Sequence, residues 1–433
     1  MIDKLVNTDF KFSLLRNSII QVIWWIIFFP GFFSGDSFGA VQMARSGDLT
    51  NSFTASWAIY VRIFSLHGNA IWLLTLLNGL VLVFAVTRLA YSLFSTRTAA
   101  IASFVLTLTP VVVGMGITLW HDIPMTAGLL LLASFFTIFV KGERIGRLEI
   151  LSQLLFGSVL ISFRPNGLPT LLVFSTAILI FNFRKSLIKY LVAGIATSGI
   201  VTLVGSQVIL GLSPINDYFA QEWMRNDISC FADTVAGAGF VEKNIPNIGN
   251  TETWRSNAAC TFLNKAAITN EDKVDAQEFV PSAWFKLLKQ DPAFVLKTHL
   301  QRNAYLIPVP LFGIPTTPFL HSTIEYEFQD IEWAFPSVAE PARAPMRLWN
   351  ALRGITGWAG MWTLITLLLL IGTKKRELLP ALLMSVSLIG ILFVFSPIPD
   401  GRYALFALIA GQIALIGKIV EWAQTGSNRR PTD

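Results

Sequence analysis

Runs of about 20 apolar residues recur along this chain, and they constrain its fold more than any other feature. A helix needs roughly 20 mostly apolar residues to cross the hydrocarbon core of a bilayer. Hydrophobic residues fill 53% of the 433 positions and charged residues only 14%, against about 25% charged residues in soluble domains. The sequence therefore predicts an all-α polytopic membrane protein.

Ten segments have the composition of transmembrane spans. They are residues 17–34, 69–87, 98–119, 123–140, 148–163, 166–183, 190–212, 354–372, 378–396 and 402–420. We interpret the first as a retained span, because no small-residue cleavage site follows it. The fifth and sixth spans are short, and the sequence "RPN" at 164–166 predicts a tight hairpin between them.

A long polar segment interrupts the series of apolar runs. We therefore predict three parts of the chain: a seven-span module (1–212), an extracytoplasmic domain (213–345) and a three-span module (346–433). The middle part carries a net charge of −6 and the rest a net charge of +12. Lys and Arg cluster in every second short connection, which is typical of cytoplasmic loops. We therefore expect both termini to be cytoplasmic and the middle domain, with mainly helical patterns, to be translocated.

Two aspartates lie where predicted spans reach the outer side. Asp36, in "FFPGFFSGDSFGAV", could act as a general base for a hydroxyl nucleophile; alternatively, Asp36 or Ser37 caps a short interfacial helix. Asp122, in "ITLWHDIPM", could orient a hydroxyl or bind a metal together with His121, or it could cap the fourth span. Two residues cannot define a metal site, so a divalent metal stays open.

Arginine is the basic residue in the short outer loops, whereas lysines cluster on the inner side. The planar guanidinium binds phosphate through two hydrogen bonds, which favours a phosphate-bearing ligand. Arg164 in "SFRPNGLP" and Arg402 in "SPIPDGRYAL" are the candidates, with Asn166 and Asp400 as neighbours. The alternatives are an Arg164 side chain that extends to lipid head groups and an Arg402 that pairs with Asp400.

The predicted translocated domain adds two further features. Glu325 and Glu327 would share one face of an extended strand, which suits a metal or sugar site or, alternatively, a solvated acidic face. Cys230 and Cys260, the two cysteines of the chain, predict a disulfide because an oxidising compartment permits one. Two free buried thiols are the alternative.

Several signatures of soluble enzymes are absent from the sequence. It contains no G-x-x-x-x-G-K-[ST] and no H-E-x-x-H, so we expect neither a P-loop ATP site nor a zinc site of that type. The short basic clusters between apolar runs do not indicate nucleic-acid binding. The sequence thus requires no cofactor, and a chain without a nucleotide site must use a pre-activated donor, a gradient or no energy source.

Four motifs occur in order: "FPGFFSGDSFGAVQMARSGDL", "LWHDIPMTAGLLLL", "SFRPNGLPTLLV" and "PIPDGRYALFAL". Together they resemble bacterial multispanning proteins of the GT-C glycosyltransferase superfamily, over both membrane parts but not over 213–345. The resemblance implies transfer of a hexose or pentose from a polyprenyl-phosphate-linked donor to a glycan or lipid acceptor, with inversion. It places Asp36 and Asp122 at the catalytic acidic positions and Arg164 and Arg402 at the donor phosphate.

The resemblance also implies a place in the cell: the bacterial inner membrane, with the active site facing the periplasm and surface glycan such as O-antigen as the material modified. A transporter or flippase for lipid-linked glycans is the alternative function, and a structural partner of a cell-wall complex is a third. A transporter should carry charges near the membrane midplane and often has two similar halves, whereas the candidate residues here cluster at the outer boundary.

Overall fold

The computed structural model describes residues 8–47, 54–181, 186–210, 221–246, 254, 276–303, 306, 333–351, 358–373, 376–396 and 401–427. Within these ranges the regular structure is helical, apart from one isolated parallel β-bridge between Phe32 and Thr118. Apart from the groups at its two ends, the backbone of a helix forms its hydrogen bonds within its own segment, which is the requirement that a bilayer imposes on a spanning chain. The predicted all-α membrane fold is confirmed.

The helices of the first membrane part follow one another through short connections. They are α1 (Thr8–Ile27), α2 (Gly35–Ser46), α3 (Ala55–Phe64), α4 (Ile71–Leu93), α5 (Thr96–Thr107), α6 (Pro110–Gly116), α7 (Asp122–Val140), α8 (Arg147–Glu149), a π-helical segment (Ile150–Leu155), α9 (Phe156–Ile161), α10 (Gly167–Ile180) and α11 (Leu187–Leu210).

The remaining helices belong to the middle segment and to the second membrane part. They are α12 (Glu222–Ala232), α13 (Phe240–Asn244), α14 (Val280–Gln290), α15 (Pro292–Arg302), α16 (Pro336–Ala351), α17 (Ala359–Thr373), α18 (Leu379–Phe395) and α19 (Leu405–Ser427). A 3-10 turn, Gly401–Ala404, leads into α19.

Each of the ten predicted spans overlaps a helix or consecutive helices among the described residues, although the first, predicted at 17–34, lies later in the chain than its helix, Thr8–Ile27. Among the described residues, five helices are long and apolar enough to cross a membrane, and three shorter apolar helices accompany them. The five are Ile71–Leu93, Asp122–Val140, Leu187–Gly205, Arg376–Phe395 and Arg402–Gln424. The predicted third span is interrupted: α5 ends at Thr107 and α6 begins at Pro110, because a proline cannot continue the hydrogen bonding of the preceding helix.

Helix α7 forms the centre of the membrane core. It packs against α4, α9, α18 and α19, and almost all of its side chains are buried. Its sequence is apolar on every face, as expected for a helix surrounded by other helices. Gly128 on α7 and Gly157 on α9 allow these two helices to pack closely, because a Cβ at Gly128 would lie 2.6 Å from the carbonyl oxygen of Gly157.

The predicted hairpin between the fifth and sixth spans is present. Helix α9 ends at Ile161 and α10 begins at Gly167, and the backbone of Gly167 donates to the carbonyl of Arg164 at 3.1 Å. A Cβ at position 167 would lie 1.9 Å from the carbonyl oxygen of Ile161. Only glycine therefore fits this turn, which brings Arg164 to the end of the bundle.

Helices α12 to α15 of the middle segment have a hydrophobic core of their own, separate from the membrane core. Helices α12, α14 and α15 surround it, with Ile228, Trp284 and Leu287 among the buried side chains. Asp291 caps α15: its Oδ1 accepts from the backbone N–H of Phe294 at 2.9 Å. The boundaries proposed for the three domains stay a prediction.

Candidate active site

The loop after α1 is fixed against the loop that precedes α7. The backbone N–H of Phe32 donates to Ile117, and the N–H of Leu119 donates back to the carbonyl of Phe32, both at 2.9 Å. The Trp120 indole donates to Ser34 Oγ at 2.6 Å. These contacts bring the two predicted acidic motifs, separated by more than 80 positions, to one end of the bundle.

Asp36 lies in the first turn of α2 with a partly exposed carboxylate, 43% accessible. The helix is capped by Ser34, and Ser37 completes the capping box by accepting from the Ser34 backbone N–H at 2.9 Å. The alternative in which Asp36 is the cap residue is therefore wrong. Its Oδ2 instead accepts a hydrogen bond of 2.7 Å from Nη2 of Arg402. No described residue hydrogen-bonds to its other carboxylate oxygen.

Asp122 occupies a different environment from Asp36. It is the first residue of α7, its side chain is completely buried, and its Oδ1 accepts a hydrogen bond from Nη1 of Arg164. Its Oδ2 lies 3.8 Å from Nε of Arg402. His121 is the cap residue of α7, so the interpretation of Asp122 as the cap is wrong, and its carboxylate serves two arginines.

The four side chains form one chain of alternating charges in the order Asp36, Arg402, Asp122, Arg164. They come from four segments that are remote in sequence: α2, the 3-10 turn before α19, the start of α7 and the α9–α10 hairpin. Opposite charges alternate, so each arginine is compensated at this end of the bundle. The structure thus brings together the four residues predicted to be catalytic or phosphate-binding.

Aromatic rings hold both guanidinium groups. The Cζ of Arg402 lies 4.7 Å from the ring centre of Trp120, and the Cζ of Arg164 lies 4.0 Å from that of Tyr403. Tyr403 also faces Arg402 at 5.4 Å. Such cation–π contacts stabilise a fixed guanidinium orientation. Trp120 and Tyr403 were not predicted as site residues, although Trp120 precedes His121 and Tyr403 follows Arg402 in the sequence.

His121 and Asn166 border this network. His121 is buried with its ring 6.0 Å from the ring of Trp57. Burial, and then the charges of Arg164 and Arg402, lower the pKa of His121 well below its usual value. Asn166 is the cap position of α10, and its buried Oδ1 has no hydrogen-bond partner among the described residues.

The other predicted residues are not part of the described site. Glu325, Glu327, Asp400 and Cys260 lie outside the described residues, so the roles assigned to them stay predictions. Cys230 is buried and disulfide-bonded; its predicted pairing with Cys260 stays a prediction. Among the described residues no three His, Cys, Asp or Glu side chains are grouped as metal ligands.

Comparisons with known proteins give one family match over part of the chain and two weak structural matches. Residues 52–208 match the family model of the dolichyl-phosphate-mannose-protein mannosyltransferases. No curated protein matches the chain at a significant level. Two solved structures of ArnT from Cupriavidus metallidurans show a weak similarity. The one bound to undecaprenyl phosphate is 12% identical over 98% of this chain and 81% of that chain, with a TM-score of 0.40. The apo form is 14% identical over 96% and 79%, with a TM-score of 0.39. The family match confirms the predicted resemblance of this chain to the membrane glycosyltransferases of the GT-C superfamily.

Proposed function

We propose that this protein transfers a sugar from a polyprenyl-phosphate-linked donor to a glycan or lipid acceptor at the outer face of the bacterial inner membrane. The observation that carries the proposal is the Asp36–Arg402 pair. It combines a partly exposed carboxylate, one oxygen of which accepts no hydrogen bond from a described residue, and a guanidinium fixed beside it. A base and a cation side by side are the two groups that this transfer needs.

In the proposed reaction, the acceptor hydroxyl attacks the anomeric carbon of the donor. Asp36 takes the hydroxyl proton, a bond forms between the acceptor oxygen and that carbon, and the bond to the phosphate oxygen breaks. The electron pair leaves with the polyprenyl phosphate. A single displacement of this kind inverts the configuration at the anomeric carbon. Asp36 suits the role because its carboxylate is partly exposed and lies beside the guanidinium of Arg402.

The two arginines would stabilise the leaving phosphate. A guanidinium can donate two parallel hydrogen bonds to a phosphate, and charge developing on the leaving oxygen makes these bonds stronger in the transition state. Arg164 and Arg402 are anchored by the carboxylate of Asp122 on one side and by aromatic rings on the other. We assign Asp122 to positioning the arginines, because its buried carboxylate does not reach an outer ligand directly.

The proposal also covers the orientation of the protein in the membrane, its acceptor and its cofactor requirement. Both termini would be cytoplasmic, the site would face the periplasm, and 213–345 would select the acceptor, with surface glycan or O-antigen as candidate acceptors. No cofactor is assigned, and the transfer assay is run with and without a divalent metal. The alternative, a flippase for lipid-linked glycans, would move the lipid across the membrane without breaking the sugar–phosphate bond.

The test is a transfer assay with purified protein in detergent or nanodiscs, given polyprenyl-phosphate hexoses or pentoses and a panel of glycan and lipid acceptors. We expect free polyprenyl phosphate and a glycosylated acceptor to appear in equal amounts. Translocation of an intact fluorescent lipid-linked glycan in proteoliposomes, without cleavage, would establish the flippase instead. Mass spectrometry of surface glycans from cells with and without the protein would name the sugar and the acceptor.

A further inference from the structure

A second cluster of charged side chains lies away from the candidate active site, in the core between α12, α14 and α15. Asp227 is completely buried at its centre. Its carboxylate accepts hydrogen bonds from Arg302 and from the indole of Trp284, at 2.8 Å for the indole, and its Oδ2 lies 2.9 Å from Nε2 of His299. Burial would raise the pKa of Asp227, but the charge of Arg302 and the contact with His299 hold it below its usual value.

Both ring nitrogens of His299 face acceptors. Nε2 faces the ionised carboxylate of Asp227, and Nδ1 lies 3.1 Å from the backbone carbonyl oxygen of Phe393. The carbonyl oxygen of Phe393 can only accept, so the hydrogen bond at this contact is donated by Nδ1. His299 therefore connects the buried carboxylate of the middle segment to a helix of the membrane part.

The carbonyl that His299 contacts belongs to the last turn of α18. The final carbonyls of a helix have no partner within that helix. Here the carbonyl of Phe393 accepts from His299 and also from the side-chain amide of Asn303, at 2.9 Å. The rings of Trp223 and Phe395 pack edge to face at 5.6 Å beside this contact. Two donors and an aromatic pair thus fix the outer end of α18.

The outer end of α18 is followed closely by the turn that carries Arg402. The 3-10 turn Gly401–Ala404 packs against α18, and Arg402 extends from it to Asp36. Any displacement of the α18 end would move this turn, and the 2.7 Å contact between Arg402 and Asp36 tolerates only a small displacement.

We propose that His299 and Asn303 are positioning residues, which hold the outer end of α18 and thereby keep Arg402 beside Asp36. The middle segment then acts on the reaction itself, in addition to selecting the acceptor. The activity part of this inference rests on the proposed transferase function, whereas the structural part does not depend on it.

The test uses the full-length protein with Asn303→Leu and His299→Gln, and Trp284→Phe as the matched control. Trp284→Phe removes a hydrogen bond to the same Asp227 carboxylate, but Trp284 donates no hydrogen bond to Phe393. Amide hydrogen exchange is measured in peptides covering 393–404 and in peptides from α4 as an internal reference. We expect exchange in 393–404 to rise about tenfold in Asn303→Leu and His299→Gln, the effect of one lost hydrogen bond, and to stay unchanged in Trp284→Phe.

Kinetics provide the second readout. Loss of positioning should lower kcat/KM for the donor about tenfold in Asn303→Leu, with little change in KM for the acceptor and no change in Trp284→Phe. Unchanged exchange in 393–404, or equal effects in all three variants, would overturn the inference. A wild-type protein that transfers no sugar would overturn the proposed function instead, and the exchange measurement would still decide this inference.

Discussion

Nη2 of Arg402 donates a hydrogen bond of 2.7 Å to Oδ2 of Asp36, across 366 positions of sequence. The pair joins the first loop of the chain to the turn before its last helix. It places a carboxylate that can accept a proton next to a cation that can bind a phosphate. The same arginine lies 3.8 Å from the buried carboxylate of Asp122, so one guanidinium links an exposed and a buried acid.

Asp36→Asn tests the role of the exposed carboxylate. The amide keeps the size of the side chain and can still accept from Arg402, but it cannot take a proton. We expect normal insertion and stability, with transfer reduced by at least about 100-fold, as for loss of a general base. Turnover is measured with saturating donor and acceptor, and thermal unfolding in detergent serves as the control. Turnover near the wild-type value would mean that Asp36 is not the base.

The buried pair of Asp122 and Arg164 predicts a different response. Asp122→Asn leaves the charge of Arg164 uncompensated at a site where only 11% of that side chain is exposed. Loss of one partner of such a pair costs about 3–5 kcal/mol. We therefore expect Asp122→Asn to lower stability as well as transfer, while Arg164→Lys raises KM for the donor more than KM for the acceptor.

A double variant distinguishes a pair from two independent residues. Asp122→Asn combined with Arg164→Gln removes both charges, so it should be more stable than Asp122→Asn alone. The free energy of unfolding is measured with urea or heat for the wild type, the two single variants and the double variant. The difference between the double variant and the sum of the single variants is the coupling energy of the pair. Additive losses of stability would show that the two side chains do not act as a unit.

The sequence predicted the membrane fold and four main site residues because those signals are local. An apolar run indicates a span by its length, and "RPNG" indicates a hairpin by its turn residues. The network between Asp36, Arg402, Asp122 and Arg164 is not local, because its pairs lie from 42 to 366 positions apart and form only through the packing of the helices. The hydrogen bonds of His299 and Asn303 to Phe393 could not be predicted from the sequence either, because their acceptor is a backbone carbonyl and every residue type has one.

The orientation in the membrane is a further prediction. Basic connections such as the one at Arg144 should be cytoplasmic, and the middle segment around Lys286 should be outside. Each residue is replaced by cysteine in a background in which Cys230 and Cys260 are serine, and intact cells are treated with an impermeant maleimide. We expect labelling at position 286 and none at position 144 until the cells are opened. Labelling at 144 in intact cells would reverse the orientation and move the site to the inside.

The disulfide of Cys230 gives a prediction on stability. If its partner is Cys260, the bond closes a loop of about 30 residues, and loop closure of that size is worth roughly 3 kcal/mol. Non-reducing peptide mapping should recover the two cysteine peptides as one linked species. Reduction should lower the unfolding temperature of the middle segment. Two free thiols in protein prepared without reductant from its native membrane would contradict the pairing.

The last prediction concerns the hairpin that carries Arg164. A Cβ at Gly167 would meet the carbonyl oxygen of Ile161 at 1.9 Å, a backbone atom that cannot move without opening the turn. Gly167→Ala should therefore displace Arg164, lower stability and reduce transfer together. Gly199→Ala is the matched control, because nothing lies within 4 Å of a Cβ at that position in α11. A glycine inside a helix is less favourable than alanine by roughly 0.5–1 kcal/mol, so Gly199→Ala should be neutral or slightly stabilising. Thermal unfolding and transfer rates are measured for both variants. Equal behaviour of both would show that the turn accommodates a side chain and that Arg164 does not depend on the geometry of the hairpin.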